Sequence, residues 1–323
     1  MNARERYNSL SSQRSMFLST AQECSRLTLP YLITEDTSSR QNYKTLITPW
    51  QSVGAKVVVT LAAKLMLALL PPQTTFFKLQ IREDKLGTEM PPEMRSELDL
   101  SFSKIERLIM EYIAASNDRV VIHQALKHLI VGGNALIYMG KDGLKLFPLH
   151  RYVLERDGNG NVIEIVTKEK ISKKLLPDFE EELSQQPEQV AKDNEDVDVY
   201  THVRRDNNRL LWHQEVNDKV IPRSVSKAPL DSNPWLPLRF NTVDGEPYGR
   251  GRVEEFMGDL KSLEALSQAI TEGSAAAAKV VFVVSPSSTT KPQTLAAAGN
   301  GAIVQGRPDD IGVVQVGKQA DFA

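Results

Sequence analysis

Five histidines, a single cysteine and several adjacent carboxylates are the residues here that could support metal, nucleophilic or acid–base chemistry. A zinc site on one helix needs two histidines four residues apart, so that both imidazoles leave the same face. His123 and His128 are five apart, His150 stands alone, and His202 and His213 fall on two separate strand-like runs. No ligand pattern emerges, and no metal is expected. Cys24, beside Glu23, has no electropositive activator next to it in sequence and reads as an inert thiol rather than a nucleophile. Being the single cysteine, it excludes an intrachain disulfide and any multi-cysteine cluster, and it suggests a reducing compartment. Glu254-Glu255 and similar pairs read as solvated helix faces rather than acid–base dyads. There is no Gly-x-Ser-x-Gly elbow and no Gly-x-x-x-x-Gly-Lys-Ser/Thr loop, so acyl transfer and nucleotide hydrolysis lack their usual backbone devices. Asp157-Gly158-Asn159-Gly160-Asn161 is rich in glycine, but no helix start follows it, and it reads as a hairpin turn rather than a phosphate cradle. The residues thus point away from an enzyme, with no catalytic group and no cofactor expected.

The elements around these residues belong to an ordinary globular chain. Its 323 residues suggest two or three folded units at roughly 150 residues per domain. Hydrophobic residues make up 41% and charged residues 25%, which excludes wholesale disorder and a polytopic membrane protein. With 39 Lys+Arg against 41 Asp+Glu the formal charge is -2, so no bulk positive field drives sequence-independent nucleic-acid binding. The first 25 residues are polar and lack the apolar core of a signal peptide. Val53 to Leu70 is the one membrane candidate, but Lys56 and Lys64 interrupt it and Pro71-Pro72 ends it too early, so a buried helix is expected.

The N-terminal third reads as helical. One helix runs from about Arg4 to Leu29 and stops at Pro30, followed by a polar loop over Thr34 to Ser39. Thr48 is placed as N-cap of a second helix, with Pro49 at its first position. A third helix, Ser96 to Ser116, aligns Leu100, Ile105, Leu108, Ile109, Tyr112 and Ile113 on one face, and Asp118 is expected to cap a fourth that ends at Gly132-Gly133. The period then changes. Ala135 to Met139, Leu144 to Leu149, Tyr152 to Arg156 and Val162 to Lys168 read as strands of a small antiparallel sheet, and Val197 to Arg204, Leu210 to Val216 and Leu236 to Asn241 are further strand candidates. Leu175 to Asp196 is acidic and reads as a solvated helix plus loop. A long helix begins near Arg252, and Val280 to Val284, Ile303 to Gln305 and Ile311 to Val316 are short strands. Trp50, Trp212 and Trp235 read as core or interface anchors, since no aromatic–basic interleaving surrounds them. The fold class is α+β.

Several stretches, in order, resemble one family. Thr48-Pro49-Trp50-Gln51-Ser52-Val53-Gly54-Ala55 with Leu61 to Pro72, His128 to Tyr138, and Leu149 to Asp157 are similar to the N-terminal part of portal (head-to-tail connector) proteins of autographivirus-type short-tailed bacteriophages. Pro237-Leu238-Arg239 and Gly245-Glu246-Pro247-Tyr248-Gly249-Arg250-Gly251, leading into Glu254 to Ile270, resemble the segment that opens the family's first stem helix. Gln305 to Ile311 and Gly317 to Phe322 match as well, so the likeness runs end to end.

The resemblance implies a non-enzymatic ring subunit, usually twelve per ring, in the virion at one capsid vertex and made in the host bacterial cytoplasm. Double-stranded DNA would pass through the axis during packaging and ejection. The partners it implies are the terminase large subunit, scaffolding and major capsid proteins, and tail proteins, with no membrane. It implies a wing over 1–243 (helical to about 132, antiparallel β from about 133), a first stem helix over 244–279 and a small α/β clip over 280–323. Family members continue beyond a position like Ala323 through a second stem helix, a tunnel loop and a crown, so a fragment or truncated product is expected. Gly245, Tyr248, Gly249 and Arg250 would open the stem. Glu254, Glu255, Asp259, Lys261, Glu264, Glu272 and Lys279 would be its channel candidates, and Arg307, Asp309 and Asp310 the motor-docking candidates of the clip.

The stem segment agrees with that role. Phe256, Leu260, Leu263 and Ile270 form one apolar stripe, and acids outnumber bases on the remainder. A conduit must avoid strong phosphate contacts, each of which would gain counterion-release affinity and oppose sliding. Ala275 to Ala278 would allow neighbouring helices to approach closely, or simply favour helix. Arg250 and Arg252 read as positional rather than DNA-touching. Two other classes stay open: a nucleic-acid-processing enzyme, marked by metal-dependent, salt-sensitive nuclease activity, and a virion adaptor with no DNA channel.

Overall fold

The computed structural model describes residues 2–34, 46–72, 74–80, 92–172, 196–277, 280–284, 291, 293 and 311–315. The chain divides into two compact units, Met1–Leu260 and Lys261–Ala323.

In the first unit, α1 (Ala3–Leu27) opens on a capping box in which Asn2 Oδ1 accepts the Glu5 N–H at 2.8 Å and Glu5 reaches back to the Asn2 N–H. Its inward face carries Tyr7, Leu10, Arg14, Ala21, Cys24 and Leu27, spaced three, four or seven apart as one helical stripe requires. Helix α2 (Val53–Leu69) begins later than Thr48-Pro49 suggests. Gln51 decides its start: the side-chain oxygen accepts the Gly54 N–H at 2.9 Å while the amide donates to the Leu27 carbonyl at 2.7 Å. One side chain thereby satisfies two backbone groups and ties α2 to the end of α1, which a local cap at Thr48 would not do.

Helix α3 (Pro92–Ala115) starts four residues before the expected Ser96. Among the described residues its apolar face is left uncovered, with Leu100, Ile105, Leu108 and Tyr112 exposed. Helix α4 (Asp118–Gly132) begins after Asn117 with no side-chain cap. Asp118, expected to cap it, accepts the Leu144 N–H at 2.8 Å instead, because the following hairpin folds back over the helix start. The other end agrees with expectation: Gly133 takes the left-handed conformation that stops the helix, φ 73°.

The expected single sheet is two antiparallel sheets. The first has β1 (Asn134–Gly140) between β2 (Gly143–Phe147) and β9 (Trp235–Arg239). Pro148, which lacks an N–H, ends β2 two residues early, and Leu149–Arg151 form a single 3-10 turn. The second runs β3 (Tyr152–Arg156), β4 (Val162–Ser172), β5 (Asp196–Asp206), β6 (Arg209–Val216) and β7 (Lys219–Val220), with β8 (Ser226–Pro229) also paired to β6. Asp157 closes the β3–β4 turn by accepting the Asn159 and Asn161 N–H groups, which holds its carboxyl below the usual carboxylate range through the Asn161 side chain first. The strands at 162–172 and 196–206 are longer than their hydrophobic runs, because pairing continues through Lys168, Glu169 and Lys170 of the first, opposite Tyr200, Val199 and Asp198 of the second.

The core lies where α1, α2, α4, β1, β3 and β4 meet and includes Val58, Ile130, Val131, Leu136, Leu149, Tyr152 and Trp235; burying each of its aliphatic side chains is worth roughly 1.5–3 kcal/mol of transfer free energy. Trp235 stacks near Tyr138 and Phe147, and Trp212 packs partly buried on the core, whereas Trp50 is exposed. Two helices follow, α5 (Arg252–Glu255) and α6 (Met257–Ala277), separated by one tight turn at Phe256. Val280–Val284 (β10) pairs antiparallel with Ile311–Gln315 (β11) in the second unit. Most of the 175–196 stretch and the strand expected at Ile303 to Gln305 lie outside the described residues. No described helix is long and apolar enough to cross a membrane.

Candidate functional site

The segment that leads into α5 is bound to the turn between α4 and β1 by approaches only glycine permits. A Cβ on Gly133 would lie 2.4 Å from the Arg250 carbonyl carbon and 2.5 Å from the Gly251 nitrogen. One on Gly251 would lie 2.4 Å from the Val131 oxygen, and one on Gly249 2.8 Å from the Gly133 oxygen. Backbone thus rests on backbone with no side chain between. Asn134, the first residue after the turn, fixes the register: its amide donates to the Gly132 and Gly249 carbonyls at 2.9 and 2.6 Å, and its oxygen accepts the Gly249 N–H at 2.7 Å. It is buried, and a hydrophobic residue there would orphan the Gly249 peptide.

Tyr248 inserts beside this contact. Its side chain is fully buried, its ring lies 5.3 Å from that of Phe17, and its hydroxyl accepts the Leu154 N–H at 3.0 Å. Burial pushes the phenol up to about 12, so it stays neutral. Arg250 runs the other way. It takes both oxygens of Glu246, at 2.9 and 2.6 Å, and reaches Glu254 at 2.5 Å, while its backbone bridges Asn241. The bonds to Glu246 first and then Glu254 hold its guanidinium above its ordinary pKa, and the same contact depresses Glu246. Arg156 and Arg239 complete the junction by donating to the carbonyls of Pro247 and Glu246 at 2.9 and 3.1 Å. Burial first, then the neighbouring Arg239 charge, lowers the Arg156 pKa. Gly245, at φ 76° with open space at its Cβ position, supplies the turn that starts the segment.

The stem candidates are less uniform than their sequence suggests. Glu254 is committed to Arg250, and Glu255 binds Arg252 at 2.5 Å and the Asn241 amide at 2.9 Å, so both position the helix start. Asp259, Lys261 and Glu272 are exposed, with Glu272 accepting from Gln268 at 2.8 Å, and Glu264 is half-buried. Of the expected apolar stripe, Leu260 packs on the core, whereas Phe256 and Ile270 are exposed. Lys279, Arg307, Asp309 and Asp310 lie outside the described residues.

Separate strands did not keep the histidines apart. His202 and His213 are register partners across β5 and β6, with ring centroids 5.4 Å apart. His202 contacts Glu164, His213 bonds Glu215 at 2.8 Å, and Glu215 accepts the Ala3 N–H of α1 at 2.6 Å. Arg6 joins Glu155 and Glu164. Burial alone would raise the Glu164 carboxyl, but the bonds from His202 and Arg6 outweigh it and hold the pKa below its ordinary value. The signal for this cluster was the placement of each histidine in its strand, visible only once the pairing register is known. Asn134 lay within the family-like stretch His128 to Tyr138, but nothing there indicated its bonds to Gly249.

The family described as bacteriophage head to tail connecting protein matches residues 1–322. The chain is 39% identical over 99% of its length to the portal protein of Enterobacteria phage T3 and 37% identical, again over 99%, to that of Escherichia phage T7. It is 29% identical over 98% of its length to the portal protein of Enterobacteria phage SP6. In each case it spans 61% of the relative's length.

Proposed function

Because the chain belongs to the bacteriophage head-to-tail connecting protein family, we propose that it is a portal subunit, structural rather than catalytic. About a dozen copies close a ring at one capsid vertex, through which double-stranded DNA enters during packaging and leaves at ejection. Terminase docks at one end and the tail at the other, and scaffolding and capsid proteins surround the ring. The observation that carries this reading is the match to the family over residues 1–322.

The geometry supports it in two ways. A ring that transmits DNA needs a subunit whose stem start is rigidly set by its outer part, and the glycine contacts at 133, 249 and 251 supply such a joint. It also needs surfaces that one chain leaves uncovered. Leu108 on α3 is 63% exposed and Ile270 on α6 is 50% exposed, and burying them against neighbours would each return roughly 1.5–3 kcal/mol. In this reading 1–243 is the wing, 244–279 the first stem helix and 280–323 the clip that meets the motor. Over 259–272, beyond the paired Glu254 and Glu255, Asp259, Glu264 and Glu272 against Lys261 give a net acidic surface that does not grip phosphate.

Light scattering across a concentration series, followed by negative-stain imaging, tests the assignment. Rings with an axial hole are expected. Metal-dependent cleavage of DNA by the purified chain, or particles with no axial opening, would count against it.

A further inference from the structure

We propose that His202, His213 and Glu215 form a divalent transition-metal site of the zinc type, which fastens the first turn of α1 to the six-stranded sheet. A nitrogen from each ring and an oxygen of Glu215 lie within 4.8 Å of one another. Two imidazoles and a carboxylate are a donor set that zinc accepts, with metal–ligand distances of about 2.0–2.1 Å. Ligand atoms around such an ion sit about 3.4 Å apart, so side-chain rotations of roughly 1 Å would close the site. The backbone already supplies the alignment. His202 and His213 oppose each other in the β5–β6 register, and Glu215 follows His213 by two residues, on the same face of the strand.

Charge and surroundings agree with a cation. Glu155 and Glu164 hold the Arg6 guanidinium between them, and Glu215 brings a further carboxylate beside His213. Glu164 contacts the Nε2 of His202 and so helps to orient that ring. Glu215 is itself oriented by the Ala3 N–H at 2.6 Å, the kind of outer bond that fixes a metal-binding carboxylate. Through that bond the ion would couple the sheet to the N-terminus of α1, 212 residues away in sequence. His202 and Glu215 are buried, while His213 is half-buried and gives the ion its way in.

The test uses the tag-free full chain, stripped with a chelator and titrated with zinc by calorimetry and with cobalt(II) by visible absorption. Saturable binding of about one ion per chain, intense tetrahedral-type cobalt bands and a thermal midpoint raised by about 3 °C or more are expected. His213→Asn, at the half-buried position, and Glu215→Gln should each weaken zinc by about 10-fold or more and remove the cobalt bands, with circular dichroism unchanged. His123→Asn, on α4, should leave both signals intact. Absence of saturable binding by the parent chain, or affinity in folded His213→Asn within about twofold of the parent, would overturn the site.

Discussion

The junction around Gly133 and the outer faces of α3 and α6 are built on opposite terms. At the junction, backbone meets backbone, and Asn134, Tyr248 and Arg250 find their polar partners inside the chain. Along α3 and α6, Leu100, Leu108, Leu266 and Ile270 keep large apolar side chains in water. The first region is determined by the single chain, and the second becomes meaningful only when something covers it. Substitutions should therefore divide the same way, into those that act on folding and those that act on association.

The sharpest separation comes from glycine. Gly133→Ala forces a Cβ into left-handed backbone and to within 2.4 Å of the Arg250 carbonyl carbon, where no flexible side chain can yield. Conformational strain of about 1–2 kcal/mol and overpacking of about 1–3 kcal/mol add to a loss of roughly 3 kcal/mol or more in urea unfolding. A loss below about 1 kcal/mol would show that the joint is softer than its contacts imply.

A second effect of similar size depends on pH. His128 is buried in α4, with its Nδ1 lacking a hydrogen-bond partner, and burial first, then the nearby His150, lowers its pKa to about 4. Above the unfolded value of roughly 6.5 both states are neutral and nothing is lost. Below it the unfolded chain binds a proton that the fold resists, so stability falls as pH drops from about 6.5 to about 4, by about 3 kcal/mol at the lower end. His128→Leu should flatten that part of the urea midpoint profile. An equally steep profile in the variant would assign the acid sensitivity elsewhere.

The sequence reading reached most elements that local chemistry alone can dictate. Gly132-Gly133 as a helix stop and Asp157 to Asn161 as a hairpin follow from backbone preferences and agree with the structure. Thr48 and Asp118 failed as caps because distant groups, the Leu27 carbonyl and the Leu144 N–H, set those positions instead. The same limit hid the site residues. The resemblance places Gly249 and Gly251 in the segment that opens the stem, but it does not reveal that a turn more than a hundred residues earlier rests on them. Periodicity placed Leu100 to Tyr112 on one face correctly without telling whether this chain buries that face.

A smaller contrast lies within α6. Gly273 has open space where its Cβ would be, so Gly273→Ala should stabilise the helix by about 0.5–1 kcal/mol, the sign opposite to Gly133→Ala. A rise in the thermal midpoint by circular dichroism checks it. A fall would mean that a neighbour, in the chain or in an assembly, already occupies the space.

The smallest effect on folding should accompany a large one on association. Leu108→Ser and Ile270→Ser remove apolar surface that the single chain leaves exposed, so each should change unfolding free energy by no more than about 0.5 kcal/mol. If these faces are covered in a ring, every subunit loses the same contact, and the deficit of roughly 1.5–3 kcal/mol per site is repeated around it. Light scattering should then show assembly shifted to about 10-fold or higher protein concentration, while denaturation curves overlay those of the parent chain. Unchanged assembly alongside unchanged stability would remove these two side chains from the subunit contact, leaving the junction as the part of the proposed role that the single chain supports.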